Sequence, residues 1–323
     1  MKRRQLLIAA STAVMAVHSH ASDNVIDSTP IKLVVPYSAG GAADYVARLY
    51  AEETGKQLRR AIVVENRPGA GGAVAGAYVA REKPDGNTLL LTSVSIHAIN
   101  PNMAPANYSP NKDLAPIATI GNGYTALVVG KNSKFNTLSE LVSYAKANPE
   151  KLSYGSSGNG SITHLSAVYF LHATGIKTLH VPYRGNPQVM TDLIGGLLDF
   201  TMDGVWVHSV KSGNVKALAY ASPQRSPAMP HVPTIGEAGY SSYEAFAPWI
   251  GFAAPAGTPA STLEKYEKAI LTVSQKPEVV KKLIEAGIQP ESLGRKAMGA
   301  LIQRDFNKIE ETIRQLNIST AAN

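Results

Sequence analysis

The residues best suited to chemistry in this 323-residue chain lie in two loops of small side chains. One reads YSAGGAAD (37–44) and the other YGSSGNGSITHL (154–165). Each follows an apolar run and leads directly into a helical pattern. Without Cβ atoms in the way, glycine backbone lets a ligand approach N–H groups closely. A helix N-terminus adds unpaired donors and about half a positive charge. Such a junction suits an anion. A carboxylate accepting two or three charge-assisted bonds there gains about 1.5–3 kcal/mol from each, before its own desolvation is subtracted. The same residues also suit plain architecture. Gly40 and Gly41 fit a tight strand–helix turn. Ser156, Ser157, Asn159 and Ser161 are good capping types, and Asp44 falls in a first turn, where the dipole favours any acid.

Asp203 ends an apolar strand pattern, where packing gives no reason for a carboxylate. Other chemistries fit less well. Gly69, Gly71 and Gly72 follow a strand as a dinucleotide fingerprint does, but Val74 stands where a third glycine is needed. Ser93, not an acid, ends the next strand. Gly155-Ser156-Ser157-Gly158 is not a nucleophile elbow. The histidines form no i, i+4 pair, and the chain has no cysteine. Thiol catalysis, thiolate metal sites and iron–sulfur clusters are therefore excluded. No catalytic residue, metal or cofactor is expected.

Short apolar runs alternating with helical patterns must position these loops. IKLVVPY (31–37), AIVVEN (61–66) and TLLLTS (88–93) read as strands, with helices over 43–58 and 72–82 between them. KLSYGSS (151–157), TLHVPY (178–183), LDFTMD (198–203) and VKALAYAS (215–222) form a second block. Uniformly apolar strands separated by helices predict an α/β fold with mostly parallel sheets. Ligands of such sheets bind beyond the strands' carboxyl ends. That singles out the two glycine loops together with ENRPGAGG (65–72), SVSIH (93–97), PYRGN (182–186) and MDGVW (202–206). APIATIGNGYTALVVG (115–130) and EAFAPWIGFAAPAG (244–257) read as extended crossings between two lobes. Thr137-Leu-Ser-Glu140 is a capping box. Val35-Pro36-Tyr37 is echoed by Val181-Pro182-Tyr183, as though the two marked equivalent strand ends.

Residues 1–21 have a basic start, a short apolar segment and a Ser19-His20-Ala21 cleavage site, the pattern of a secretory signal peptide. Export to the periplasm is expected. Removing Lys2, Arg3 and Arg4 with it lowers the formal charge from +7 to +4. The remaining charges are interspersed, which argues against a nucleic-acid partner.

Taken together, these loops resemble the substrate-binding receptors of tripartite tricarboxylate transporters, the Bug family. The landmarks are VVPYSAGGAADYVAR (34–48), VVENRPGAGG (63–72), PDGNTLLL (84–91), HAINP (97–101), DLAPIATIG (113–121), YGSSGNGSITHL (154–165), HVPYRG (180–185), TDLIGG (191–196) and PWIGFAAPAGTP (248–259). The resemblance implies a type II periplasmic binding fold, two α/β lobes hinged over a ligand cleft. The lobes are expected at 22–124 with 245–323, and at 125–244. The implied role is a monomeric, non-enzymatic receptor that captures a small organic acid, a di- or tricarboxylate or an amino or hydroxy acid. It would deliver the acid to a transporter's membrane subunits. A ligand sensor for a receptor kinase is the alternative, and a secreted α/β enzyme a further one. Carried over, the resemblance puts Tyr37, Ser38, Gly40, Gly41 and Asp44 on one wall of the cleft. Ser93, Ser157, Asn159, Ser161, His164, Tyr183 and Asp203 complete it. The family usually carries a proline where Ser38 stands, and often a hydroxyl residue where Ala43 stands.

Overall fold

The computed structural model describes residues 29–315, apart from 104–107, 205, 223, 227–228 and 244–247. The expected signal peptide lies outside the described residues. The first strands are β1 (Ile31–Val35), β2 (Ile62–Asn66), β3 (Thr88–Ser93), β4 (Leu114–Gly123) and β5 (Ala126–Gly130). Then come β6 (Ser153–Ser156), β7 (Leu179–Pro182), β8 (Phe200–Asp203), β9 (Val215–Tyr220), β10 (Trp249–Pro255) and β11 (Ile288–Pro290). The helices begin with α1 (Ala42–Leu58), α2 (Ala73–Val79), α3 (Asn100–Met103), α4 (Pro110–Asp113), α5 (Leu138–Ala147) and α6 (Ile162–Thr174). They continue with α7 (Asn186–Ile194), α8 (Trp206–Lys211), α9 (Ala260–Ser274), α10 (Pro277–Glu285) and α11 (Arg295–Gln315).

Two sheets result, one ordered β11-β4-β10-β3-β1-β2 and the other β7-β6-β8-β5-β9. The chain crosses from the first to the second between β4 and β5, and returns at β10. The sheets are more mixed than the apolar runs predict. β1 is parallel to β2 and β3, and β6 to β7 and β8, but β10 runs antiparallel to β3 and β4, and β5 to β8 and β9. An apolar run records burial on both faces, as in β3 and β5, whose residues are all buried. It does not record direction.

The echo between the two Val-Pro-Tyr segments is also corrected. β6 lies between β7 and β8 as β1 lies between β2 and β3, so the counterpart of Val35 is the end of β6. Val181-Pro182-Tyr183 ends β7, the counterpart of β2. The equivalent loops are thus YSAGGAAD and the glycine-serine loop after β6.

The first sheet keeps its own core around Leu33, Leu89 and Phe252, and a second cluster spans the two lobes. That cluster joins Leu127, Phe170 and Phe200 of the second sheet's lobe to Trp249 and to Met298, Ile302 and Ile309 of α11. Half of the capping box forms at α5, and Glu140 reaches one residue past the cap. Glu140 N donates to Thr137 Oγ1 at 3.2 Å, and Asn136 N donates to the Glu140 carboxylate at 2.7 Å.

Candidate ligand cleft

A cavity of about 130 Å³ lies between the two sheets, and both contribute walls. The crossings form its back, through Gly123, Thr125, Pro248, Trp249 and Ile250. They are tied side by side, since Gly123 N donates to Pro248 O at 2.6 Å. Register places the polar residues. Ser93 pairs with Ile250 at the end of β3, and Asp203 with Ala126 at the end of β8, so both carboxyl ends meet the crossings.

The loop after β1 forms one wall through Tyr37, Ser38, Gly41, Ala42 and Ala43. No side chain caps α1, whose N-cap is Gly41. Its first amides therefore have no side-chain partner at the positive end of a 17-residue helix, and Gly41, Ala42 and Ala43 line the cavity. Asp44 does not line the cavity. Its carboxylate accepts from Gly40 N at 3.0 Å, Arg48 Nε at 3.0 Å and Asn66 Nδ2 at 2.9 Å. Asn66 ends β2, paired with Val35, and also donates to Tyr37 O at 3.0 Å. Burial alone would raise the Asp44 carboxyl. Arg48, the Gly40 amide and Asn66 outweigh it and hold the group below the ordinary carboxylate range. Asp44 is thus the brace that shapes the loop.

The loop after β6 uses most of its polar groups on itself. Ser157 N donates to Thr163 Oγ1 at 2.9 Å, and the Ser157, Ser161 and Thr163 hydroxyls bond one another. Ser161 caps α6 by accepting from His164 N at 3.2 Å, and Ile162 N donates to Ser95 Oγ at 3.1 Å. Ser157 and Thr163 line the cavity, but the entrance to α6 is capped where that of α1 is open. His164 lies outside. Its Nδ1 accepts from Gly160 N at 3.3 Å, and its ring stacks on His180 with centroids 4.3 Å apart. His180 bonds Ser156 Oγ at 2.7 Å and stacks in turn on Tyr154. Burial holds both imidazoles down at about 4, and for His164 the neighbouring His180 adds to the effect.

At the far end, Asn186 Nδ2 donates to Asp203 Oδ1 at 2.8 Å. That orientation leaves the buried Asn186 Oδ1 without a hydrogen bond among the described residues. The Tyr37 phenol is pushed up by burial and by Asp203, against the pull of the Ser93 and Ser95 hydroxyls beside it. It is a neutral donor at ordinary pH.

Of the residues expected from sequence, Tyr37, Ser38, Gly41, Ser93, Ser157 and Asp203 meet around the cavity. Gly40, Asp44, Asn159, Ser161, His164 and Tyr183 are not among its lining. Asn159 is exposed, and the Tyr183 hydroxyl donates to Asp192 Oδ2 of α7 at 2.5 Å. Sequence reasoning missed Ser95, Thr125, Thr163, Asn186, Pro187 and Trp249. Ser95, Thr163 and Asn186 lie in loops it flagged, Thr125 and Trp249 in the two crossings, and Asn186 opens α7 behind an uncapped Gly185.

Two α/β lobes, joined by paired crossing strands and walling one cavity between them, define a solute-binding protein of the type II periplasmic binding fold. Residues 46–318 match the profile of the tripartite tricarboxylate transporter family receptor, and the chain belongs to that family. Solved structures agree. Periplasmic binding protein BugD superposes with a TM-score of 0.86 at 30% identity, covering 90% of this chain and 98% of its own. The R. palustris protein Rpa4515, solved with adipate, gives a TM-score of 0.86 at 30% identity over 90% of this chain and 98% of its own. MatC from Rhodopseudomonas palustris, with bound malate, gives 0.83 at 29% identity over 88% of this chain and 98% of its own.

Proposed function

We propose that this receptor captures a small carboxylate in the periplasm and presents its closed form to the membrane subunits of a tripartite transporter, binding its ligand without turnover. The observation that carries the reading is the uncapped N-terminus of α1. It borders a cavity with no lysine, arginine or histidine among the described residues that line it. An anion there is neutralised by backbone donors and a helix dipole, as at other helix N-termini. Tyr37, Ser38, Ser93, Ser157, Asn186 and Asp203 are the proposed side-chain contacts. Gly40, Asp44, Asn159, Ser161, His164 and Tyr183 are proposed to shape the loops around them. Residues 22–124 with 245–323, and 125–244, are the two lobes that would hinge at the crossings.

Size narrows the ligand. A cavity of about 130 Å³ is slightly smaller than the roughly 150 Å³ that accommodates benzene. That favours a compact mono- or dicarboxylate, or an amino or hydroxy acid, over a tricarboxylate. The likeness to the periplasmic binding protein BugD supports the proposed compartment, and no helix among the described residues is long and apolar enough to cross a membrane. The test is a thermal-shift screen of mono-, di- and tricarboxylates and amino acids. A ligand at a hundred times its dissociation constant should stabilise the protein by about 2.7 kcal/mol. A flat response to every acid, from protein that native mass spectrometry finds free of ligand, contradicts the proposal.

A further inference from the structure

We propose that Gly71, and the left-handed backbone around it, is the latch that holds the two lobes together, so that ligand affinity depends on a contact no ligand touches. The proposal rests on the reading of the cleft as the ligand site. The ENRPGAGG loop has no role in that reading, because none of residues 65–72 lines the cavity. Yet it holds four consecutive positive φ angles, at Gly69 (141°), Ala70 (46°), Gly71 (58°) and Gly72 (101°). Ala70 is a residue with a side chain in a region such residues rarely adopt. Strain of this kind persists where the surrounding structure imposes it.

At Gly71 the nearest neighbour is the other lobe. A Cβ on Gly71 would stand 2.8 Å from Gly160 C and Ser161 N, and 2.9 Å from Asn159 O. All three are backbone atoms of the loop after β6 and cannot swing aside. The fit is mutual, since a Cβ on Gly158 would stand 3.2 Å from Gly71 N. Asn100 fixes the strike face by donating from Nδ2 to Gly71 O at 3.1 Å. Beside this seam Ile162 N donates to Ser95 Oγ at 3.1 Å, from one lobe to the other. Bare backbone thus meets bare backbone, and any side chain placed there is relieved by parting the lobes. Apparent affinity scales with the fraction of molecules in the binding-competent closed state, so a wedge at the seam weakens binding from a distance.

Because the chain has no cysteine, Gln57→Cys on α1 and Lys146→Cys on α5 place two spin labels on exposed positions, one in each lobe. Distances would be measured without ligand and with malate, adipate, aspartate or citrate. The doubly labelled parent should populate a short distance, and Gly71→Ala and Gly158→Ala should each lengthen it. Each should also weaken whichever acid binds by about tenfold or more, the scale of an overpacked contact. Gly175→Ala is the control. Gly175 has φ +68° and no atom within 4 Å of where a Cβ would stand, so it shares the backbone strain and lacks the contact. It should leave distance and affinity at the parent's values. Circular dichroism checks that each variant folds, and Gly158→Ala approaches the seam from the opposite lobe should Gly71→Ala fail to. Parent-like closure and affinity in the two wedge variants overturns the latch, as does equal weakening by Gly175→Ala. If no acid binds the parent, the ligand reading fails separately, and an unchanged ligand-free distance in Gly71→Ala then overturns the latch as well.

Discussion

Asp44→Asn should loosen the first wall of the cleft without removing any contact to the ligand. The substitution keeps the shape and one bond, because an amide Oδ1 still accepts from Asn66. It replaces the acceptor of the Gly40 N–H by an NH₂ group, so that two donors face each other. Losing that charged acceptor costs about 1.5–3 kcal/mol. The Arg48 pair adds at most about 0.5 kcal/mol, since its guanidinium is 53% exposed and such pairs are screened by solvent. The sum is about 1.5–3.5 kcal/mol. In a chain of this size that lowers the melting temperature by roughly 2–6 °C. Ligand affinity should fall with it, because Gly40 directly precedes the amides of Gly41–Ala43. Thermal unfolding and calorimetric titration of the variant measure both. An unchanged melting temperature would refute the brace. A rise in affinity would refute it differently, by showing that the Asp44 charge faces the bound anion.

Three further outcomes are expected from the same geometry. Asp203→Ala should weaken ligand binding in a titration while leaving the far-ultraviolet spectrum native; unchanged affinity removes Asp203 from the proposed contacts. Thr137→Ala should cost about 1 kcal/mol of stability to denaturant, through the lost α5 cap, with affinity unaltered. His97, His164 and His180 are each held at about 4, burial being the first cause in every case. Unfolded imidazoles bind protons near 6.5, so between about 6.5 and about 4 the unfolded state carries more protons and stability falls as pH falls. His180→Phe, which keeps a ring in the stack, should flatten that slope; an identical slope contradicts the assignment.

The alternation of strands and helices was legible in the sequence because burial on both faces writes itself as apolar runs, and glycine, proline and capping residues punctuate them. The loops of the cleft were legible for the same reason, since each comes directly after the carboxyl end of a strand. Which atoms within a loop face the cavity was not. Asp44 and Ser161 have the chemistry of ligand contacts, but both are engaged in local bonds, one with Gly40, Arg48 and Asn66, the other as the cap of α6. Asn186 looks like an ordinary helix start until Asp203, 17 residues on, fixes its amide. Such choices depend on partners distant in sequence. The direction of β10 and β5 was hidden too, because an antiparallel strand buried on both faces has the same apolar pattern as a parallel one.

The central claim is that a carboxylate sits at the open N-terminus of α1 inside the cavity. A crystal structure with the acid that gives the largest thermal shift tests it most directly. The account predicts a carboxylate oxygen within hydrogen-bonding distance of the Ala42 or Ala43 amide, with the rest of the ligand reaching toward Asn186 and Asp203. A carboxylate held instead by the capped entrance of α6, or an acid bound outside the walls formed by Tyr37, Ser93 and Trp249, would contradict it.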